Sequence, residues 1–184
     1  VEFGANPLLY YPVPEVESDL DYVFLGSSNS RKQERYIAYF SRIVKDYPGL
    51  FQGPGFRYTR VDRIKPDHNR YLLSRGRVGL NLSVPSQLIY PAELNERTYQ
   101  LAACGVPQLI DYPKLLYKRF PEDAVFCGET PEEYYQQFLY MLDHPEEARE
   151  RALSALRTVF DRHTTFHRAE DFVRGLEQVR AKHG

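Results

Sequence analysis

Asn95-Glu96-Arg97-Thr98-Tyr99-Gln100-Leu101-Ala102-Ala103-Cys104-Gly105-Val106-Pro107-Gln108-Leu109-Ile110 is the stretch on which the reading of this chain turns. It opens on polar and cationic residues, continues through small helix-compatible ones, breaks at Gly105 and Pro107, and ends apolar. That order predicts a short helix, a tight turn and a buried strand. Ala102, Ala103 and Gly105 are small enough for the helix to lie close on a sheet. The first turn of a helix presents N–H groups with no acceptor inside the helix, and its dipole favours an anion. Arg97 stands in that turn, so the place suits a diphosphate.

Outward from this stretch, strands and helices alternate. Asp21-Tyr22-Val23-Phe24-Leu25-Gly26 reads as a buried strand ending in glycine. A small-residue loop, Ser27 to Ser30, leads into a helix from about Arg31 to Asp46. Its Tyr36, Ile37, Phe40, Ile43 and Val44 keep helical spacing, and Tyr47-Pro48-Gly49 stops it. Leu50-Phe51 and Phe56 flank a short strand broken at Gly53-Pro54-Gly55, and Pro66 opens a helix that ends near Gly76. Val78 to Ser83 and Ala124 to Cys127 read as further strands, with Gln108 to Ile110 between them. The loop from Val84 to Leu94 is long enough to suggest a functional one. Helices are expected at Thr130–Leu142, Pro145 to about Arg162 and Thr165 to about Lys182. Thr130-Pro131-Glu132-Glu133 is a helix start with a capping threonine, an early proline and early acids.

The alternation predicts an α/β fold: a Rossmann-like parallel sheet with helices on both faces and a helical carboxy-terminal tail from Pro145. In such sheets ligands bind beyond the carboxyl ends of the strands. Gly26–Arg31, Ser83–Arg97 and Ile110–Lys114 are therefore the loops where a site is expected. Residues 1–18 carry Gly4, Pro7, Pro12 and Pro14 without periodicity and read as a linker from a missing amino-terminal domain. Residues 19–184 then form the domain itself.

Composition narrows the classes of function. The chain has 184 residues, with 24 Lys plus Arg against 25 Asp plus Glu, which argues against nucleic acid or an anionic membrane as partner. No segment reaches the roughly 20 apolar residues that span a bilayer. Cys104 and Cys127 read as buried, reduced thiols rather than a disulfide framework, and the expected location is the cytoplasm.

Three constellations invite chemistry. Gly26-Ser27-Ser28-Asn29-Ser30-Arg31 after the first strand lets backbone N–H groups approach a phosphate, although it matches neither a P-loop nor a dinucleotide fingerprint. An ordinary capped strand–helix turn explains it equally well. The Arg97-bearing helix start is the second; its bland alternative is a solvated Glu96–Arg97 pair above residues chosen for packing. Third, Arg57, Arg60, Arg63 and Lys65 alternate with Tyr58 and Val61, which reads mainly as a solvated face. His163 and His167 share a helical spacing, but no third ligand is near, and His163 is better placed to meet carbonyls at a helix junction. No metal, other cofactor or nucleophilic triad is expected.

Taken in order, these pieces resemble the carboxy-terminal, donor-binding domain of GT-B glycosyltransferases, and more narrowly the CgeB-like, glycosyltransferase-group-1-like family. The residues carrying the resemblance are Asp21 to Ser27 with Arg31, Val78-Gly79-Leu80-Asn81-Leu82, Asn95 to Gly105, Phe120, Pro131-Glu132-Glu133-Tyr134, His144-Pro145-Glu146-Glu147, and His163-Thr164 with Arg168. The resemblance implies transfer of a sugar from a nucleotide-diphosphate sugar, a substrate rather than a cofactor, as in polysaccharide or glycoconjugate biosynthesis. It implies an amino-terminal domain as acceptor-binding partner, without which this chain is inactive. By position, Gly26, Ser27, Ser28 and Arg31 approach the diphosphate, Arg97 neutralises it, and Asn95 or Glu96 faces the sugar. Gln100 stands where many relatives carry a carboxylate for the ribose hydroxyls. That departure sustains an alternative: a non-catalytic nucleotide-sugar or protein-interaction module on the same scaffold.

Overall fold

A computed structural model describes residues 2–27, 30–53, 66–89 and 93–183, and the statements below concern these. Five strands form one all-parallel sheet: β1 (Leu20–Leu25), β2 (Gly49–Gln52), β3 (Gly76–Leu80), β4 (Gln108–Ile110) and β5 (Phe126–Cys127), in the order β2-β1-β3-β4-β5. Tyr22 lies in register between Gly49 and Val78, and Leu109 pairs with both Leu80 and Phe126. A parallel sheet covered on both faces needs apolar residues on both sides of each strand. Val23 and Phe24 meet that need in β1, and Leu109 and Ile110 in β4; all four are fully buried.

Successive strand residues point to opposite faces, so each neighbouring pair feeds a different core. On one face Phe24, Leu80 and Leu109 pack with Phe40 and Ile43 of α1 (Ser30–Asp46) and with Tyr134 and Phe138 of α6 (Pro131–Asp143). On the other, Val23 and Ile110 pack with Leu73 of α2 (Pro66–Ser74), Tyr99 and Leu101 of α4 (Glu96–Ala103), and Val159 of α7 (Pro145–Arg162). The remaining helices are α3 (Pro85–Ile89), α5 (Leu116–Arg119) and α8 (Thr165–His183). The expected Rossmann-like fold with helices on both faces and a helical tail is therefore the one observed. None of the described helices is long and apolar enough to cross a membrane.

Two short elements depart from the sequence reading. The loop expected from Val84 to Leu94 contains α3, and α5 occupies a stretch with no periodic signal. At four and five residues they are too short to show a helical period. Residues 2–18 form no helix or extended strand, yet Ala5, Tyr10 and Val13 are buried against the domain. The Ala5 N–H donates to His163 O (2.9 Å) and the Thr165 N–H donates to Ala5 O (2.8 Å), pinning this strap to the α7–α8 junction. Both cysteines are free; burial raises the Cys104 thiol to about 12.

Candidate functional site

The strand order reverses direction between β1 and β3, and a doubly wound sheet opens its crevice at that switch point. Gly26 leaves the carboxyl end of β1, Asn81 that of β3, and the start of α4 lies above both. Asn95 caps α4: its Oδ1 accepts from the Thr98 N–H (3.0 Å), while its Nδ2 donates to Asn81 Oδ1 (2.9 Å). Such a cap orients the helix start and satisfies one of its open donors.

Arg97 spans the crevice. Its Nε donates to Leu25 O (2.7 Å) at the end of β1, and its Nη1 donates to Asn81 Oδ1 (3.2 Å) at the end of β3. The guanidinium lies over the Phe24 ring, 4.3 Å from the centroid. A Cβ on Gly26 would come within 2.2 Å of Arg97 Nη2, so glycine here makes room for the guanidinium. Arg97 keeps some exposed surface, yet burial lowers its pKa, opposed first by Tyr36. An arginine nevertheless stays charged. Among the described residues no carboxylate forms an ion pair with it, since Glu96 is hydrogen-bonded to Gln100 (2.8 Å). A desolvated cation without an acidic partner is costly to hold and gains most from an incoming anion. Lys32, on the first turn of α1, adds a second positive charge: its pKa is lowered by burial and then by the charge of Arg97.

Asn81 is the hub beneath this arginine. It is fully buried; its Nδ2 donates to Thr98 Oγ1 (2.9 Å) and Gln108 Oε1 (3.4 Å), and its Oδ1 accepts from Asn95 and Arg97. Its backbone N–H donates to the Tyr134 hydroxyl (3.2 Å), which donates to Leu109 O (2.8 Å). One strand over, Asp111 is buried, accepts from the Ser83 N–H (2.9 Å) and pairs with Arg35 (2.6 Å). Burial raises its carboxyl pKa, while Ser83 and Arg35 pull the other way. That pair is internally compensated and ties α1 to the ends of β3 and β4.

The residues expected from sequence divide into three groups. Gly26, Asn95 and Arg97 do converge at the switch point. The Gly26 N–H, however, donates to Gln52 O (3.0 Å), so glycine serves by lacking a side chain rather than by offering that donor. Asn95 is occupied as cap and Asn81 partner. Glu96 and Gln100 are bonded to each other on the outer flank of α4, and the Ser27 carbonyl accepts from Tyr36 (3.4 Å). The solvated Glu96–Arg97 pair considered from sequence does not form. Ser28 lies outside the described residues, as does the Arg57, Arg60, Arg63 and Lys65 cluster; of Arg31 only the helical backbone is described. His163 meets a carbonyl as expected, with its Nε2 3.0 Å from Arg119 O. Among the described residues no group of three His, Cys, Asp or Glu is placed to hold a metal.

Asn81, Lys32 and Tyr36 went unremarked in the sequence as site residues. For Asn81 there was a signal: an amide following the apolar run Val78-Gly79-Leu80, at the end of a strand where ligands bind. A parallel β2-β1-β3-β4-β5 sheet with a half-buried cation at its switch point is a Rossmann-like arrangement, whose crevice opens beyond the carboxyl ends of the strands. The chain is a member of the glycosyl transferase-like family, which matches residues 19–174. The match supports the glycosyltransferase resemblance read from the sequence without specifying the CgeB-like subtype. No curated protein sequence matches the chain.

Among solved structures, sucrose-phosphate synthase from Thermosynechococcus elongatus superposes with a TM-score of 0.74 at 18% identity, over 98% of this chain and 52% of that one. An α1,3-fucosyltransferase gives 0.57 at 14% identity (82% and 39% covered), and TarM 0.56 at 12% (90% and 36%). At these identities the likeness establishes the fold, that of the carboxy-terminal half of a GT-B glycosyltransferase. The chain spans about half the length of the first of these structures.

Proposed function

We propose that this chain is the donor-binding half of a GT-B glycosyltransferase, holding a nucleotide-diphosphate sugar for transfer to an acceptor carried by an amino-terminal domain. The observation that carries the reading is Arg97, laid across the β1–β3 switch point against Gly26 with no acidic partner among the described residues. A diphosphate seated there gains a charge-assisted contact and the field of the α4 start. As the glycosidic bond breaks, charge develops on that diphosphate, and a preoriented guanidinium favours the transition state over the bound donor. Ser27 and the start of α1 would form the other wall, with Lys32 adding to the potential. The donor is the substrate, and the reading calls on no metal. The family membership and the reduced, buried Cys104 fit a cytoplasmic glycoconjugate-building enzyme.

Calorimetric titration with UDP- and GDP-sugars tests this on the wild type and on Arg97→Ala. The expected result is binding of at least one donor, weakened about ten- to a hundredfold by the substitution, the value of one charged hydrogen-bonding contact. Absence of binding to every nucleotide sugar would instead favour the non-catalytic interaction module, for which Gln100 in place of a carboxylate already speaks.

A further inference from the structure

We infer that Asn81 is a positioning residue that aims Arg97 while leaving its charge uncompensated, and that its being an amide rather than a carboxylate is what keeps the anion site open. This rests on the donor-binding reading and specifies how the site is maintained. The amide orientation follows from its neighbours. Nδ2 faces two acceptors, Thr98 Oγ1 and Gln108 Oε1, and Oδ1 faces two donors, Asn95 Nδ2 and Arg97 Nη1. Each donor of the network therefore meets an acceptor, and the oxygen turned to Arg97 carries only a partial charge.

Among the groups that hold Arg97 are two neutral acceptors, the Leu25 carbonyl and the Asn81 amide oxygen. Two neutral acceptors fix the planar guanidinium without cancelling its charge. The same fold shows the contrasting arrangement one strand away. At the end of β4 a buried carboxylate, Asp111, meets Arg35 at 2.6 Å, and that arginine is spent on an internal ion pair. Equivalent strand ends thus hold an arginine in two ways: the carboxylate closes a structural pair, and the amide leaves a cation for a ligand. Aspartate at position 81 would be nearly isosteric with the asparagine whose Oδ1 lies 3.2 Å from Nη1, and its charge would compete with any diphosphate for the guanidinium.

The test is Asn81→Asp in the full chain, titrated with UDP and with inorganic pyrophosphate at pH 7.5. The expected result is a loss of at least tenfold in affinity, because the new carboxylate, kept ionised by Arg97, competes with the probe. A merely structural role would leave that loss independent of Arg97. In Arg97→Gln/Asn81→Asp the acid substitution should cost little beyond the arginine change. The carboxyl of residue 81, followed by carbon NMR after selective labelling, should titrate lower in Asn81→Asp than in that double variant. Should Asn81→Asp not fold, Asn81→Ser carries the test, with a smaller loss expected. Wild-type affinity in either variant, or a carboxyl indifferent to Arg97, overturns the inference while the donor-binding reading stands. A carboxyl that does sense Arg97, in a protein that binds neither probe, supports the positioning role and sinks the donor-binding reading instead.

Discussion

At the scale of single residues, Gly26 and Arg97 act as one unit. A methyl group on Gly26 would lie 2.2 Å from Arg97 Nη2 and 2.8 Å from Phe24 Cζ. The Phe24 ring is wedged among Tyr36, Phe40 and Phe51, with centroids 5.4, 5.1 and 4.7 Å away, whereas the guanidinium, though hydrogen-bonded, ends a long and flexible side chain. Gly26→Ala is therefore expected to displace the guanidinium more than the ring. Donor affinity should fall about tenfold, with an overpacking cost of roughly 1–3 kcal/mol in a urea melt. Arg97→Lys should fail to restore binding, because one ammonium cannot hold Leu25 O and Asn81 Oδ1 together and still face a ligand. Full affinity in Arg97→Lys would reduce Arg97 to a plain point charge. The sequence exposed Arg97 and Gly26 because helix starts and strand-end glycines have local signatures. The strand-end place of Asn81 has a local signature, but its role as a hub has none, because its partners Asn95, Arg97, Thr98, Gln108 and Tyr134 lie 14 to 53 residues away.

At the scale of elements, sheet and long helices were legible because their periods repeat over many residues. Gly105, with φ of +68°, ends α4 where the sequence placed its turn. The strap of residues 2–18 was not legible, since its burial depends on partners distant in sequence. Glu2 pairs with Arg119 (2.9 Å to Nε), and Arg168 Nε donates to Phe3 O (2.8 Å). Deleting residues 1–16 exposes the surfaces under Ala5, Tyr10 and Val13 and should lower stability by about 3–5 kcal/mol, read from the urea midpoint. A midpoint unchanged by the deletion would mean the strap contributes nothing to the fold. The junction it covers is also acid-sensitive. His163 Nδ1 accepts from Arg168 Nη2 (2.7 Å) while Nε2 faces Arg119 O, which requires a neutral ring. Burial first, then Arg168 and Arg119, hold its pKa below that of free imidazole. The unfolded chain therefore takes up the proton first. Stability is complete above pH of about 6.5 and declines as the pH falls from there toward the folded value. Urea midpoints at pH 7.5 and pH 5.5 should differ in the wild type and differ less in His163→Gln.

At the scale of the whole molecule, the proposed donor site would be one wall of a reaction site. On the proposed reading Arg97, Lys32 and the α4 start would hold a leaving diphosphate, but sugar transfer also requires an acceptor hydroxyl fixed in line with the bond that breaks. It further requires exclusion of water, which otherwise competes as nucleophile. The crevice lies at a strand edge, and the structural match to sucrose-phosphate synthase occupies only 52% of that chain. The 184-residue protein alone should therefore bind donor yet transfer no sugar. The measurement is release of nucleoside diphosphate with candidate acceptor sugars present, run with and without a separately produced amino-terminal domain. Slow donor hydrolysis fits the expectation, because water reaches an uncovered site. Turnover in the ordinary enzymatic range of about 1–1000 per second by the isolated chain would show that it carries its own acceptor site, and the half-enzyme reading would have to be abandoned.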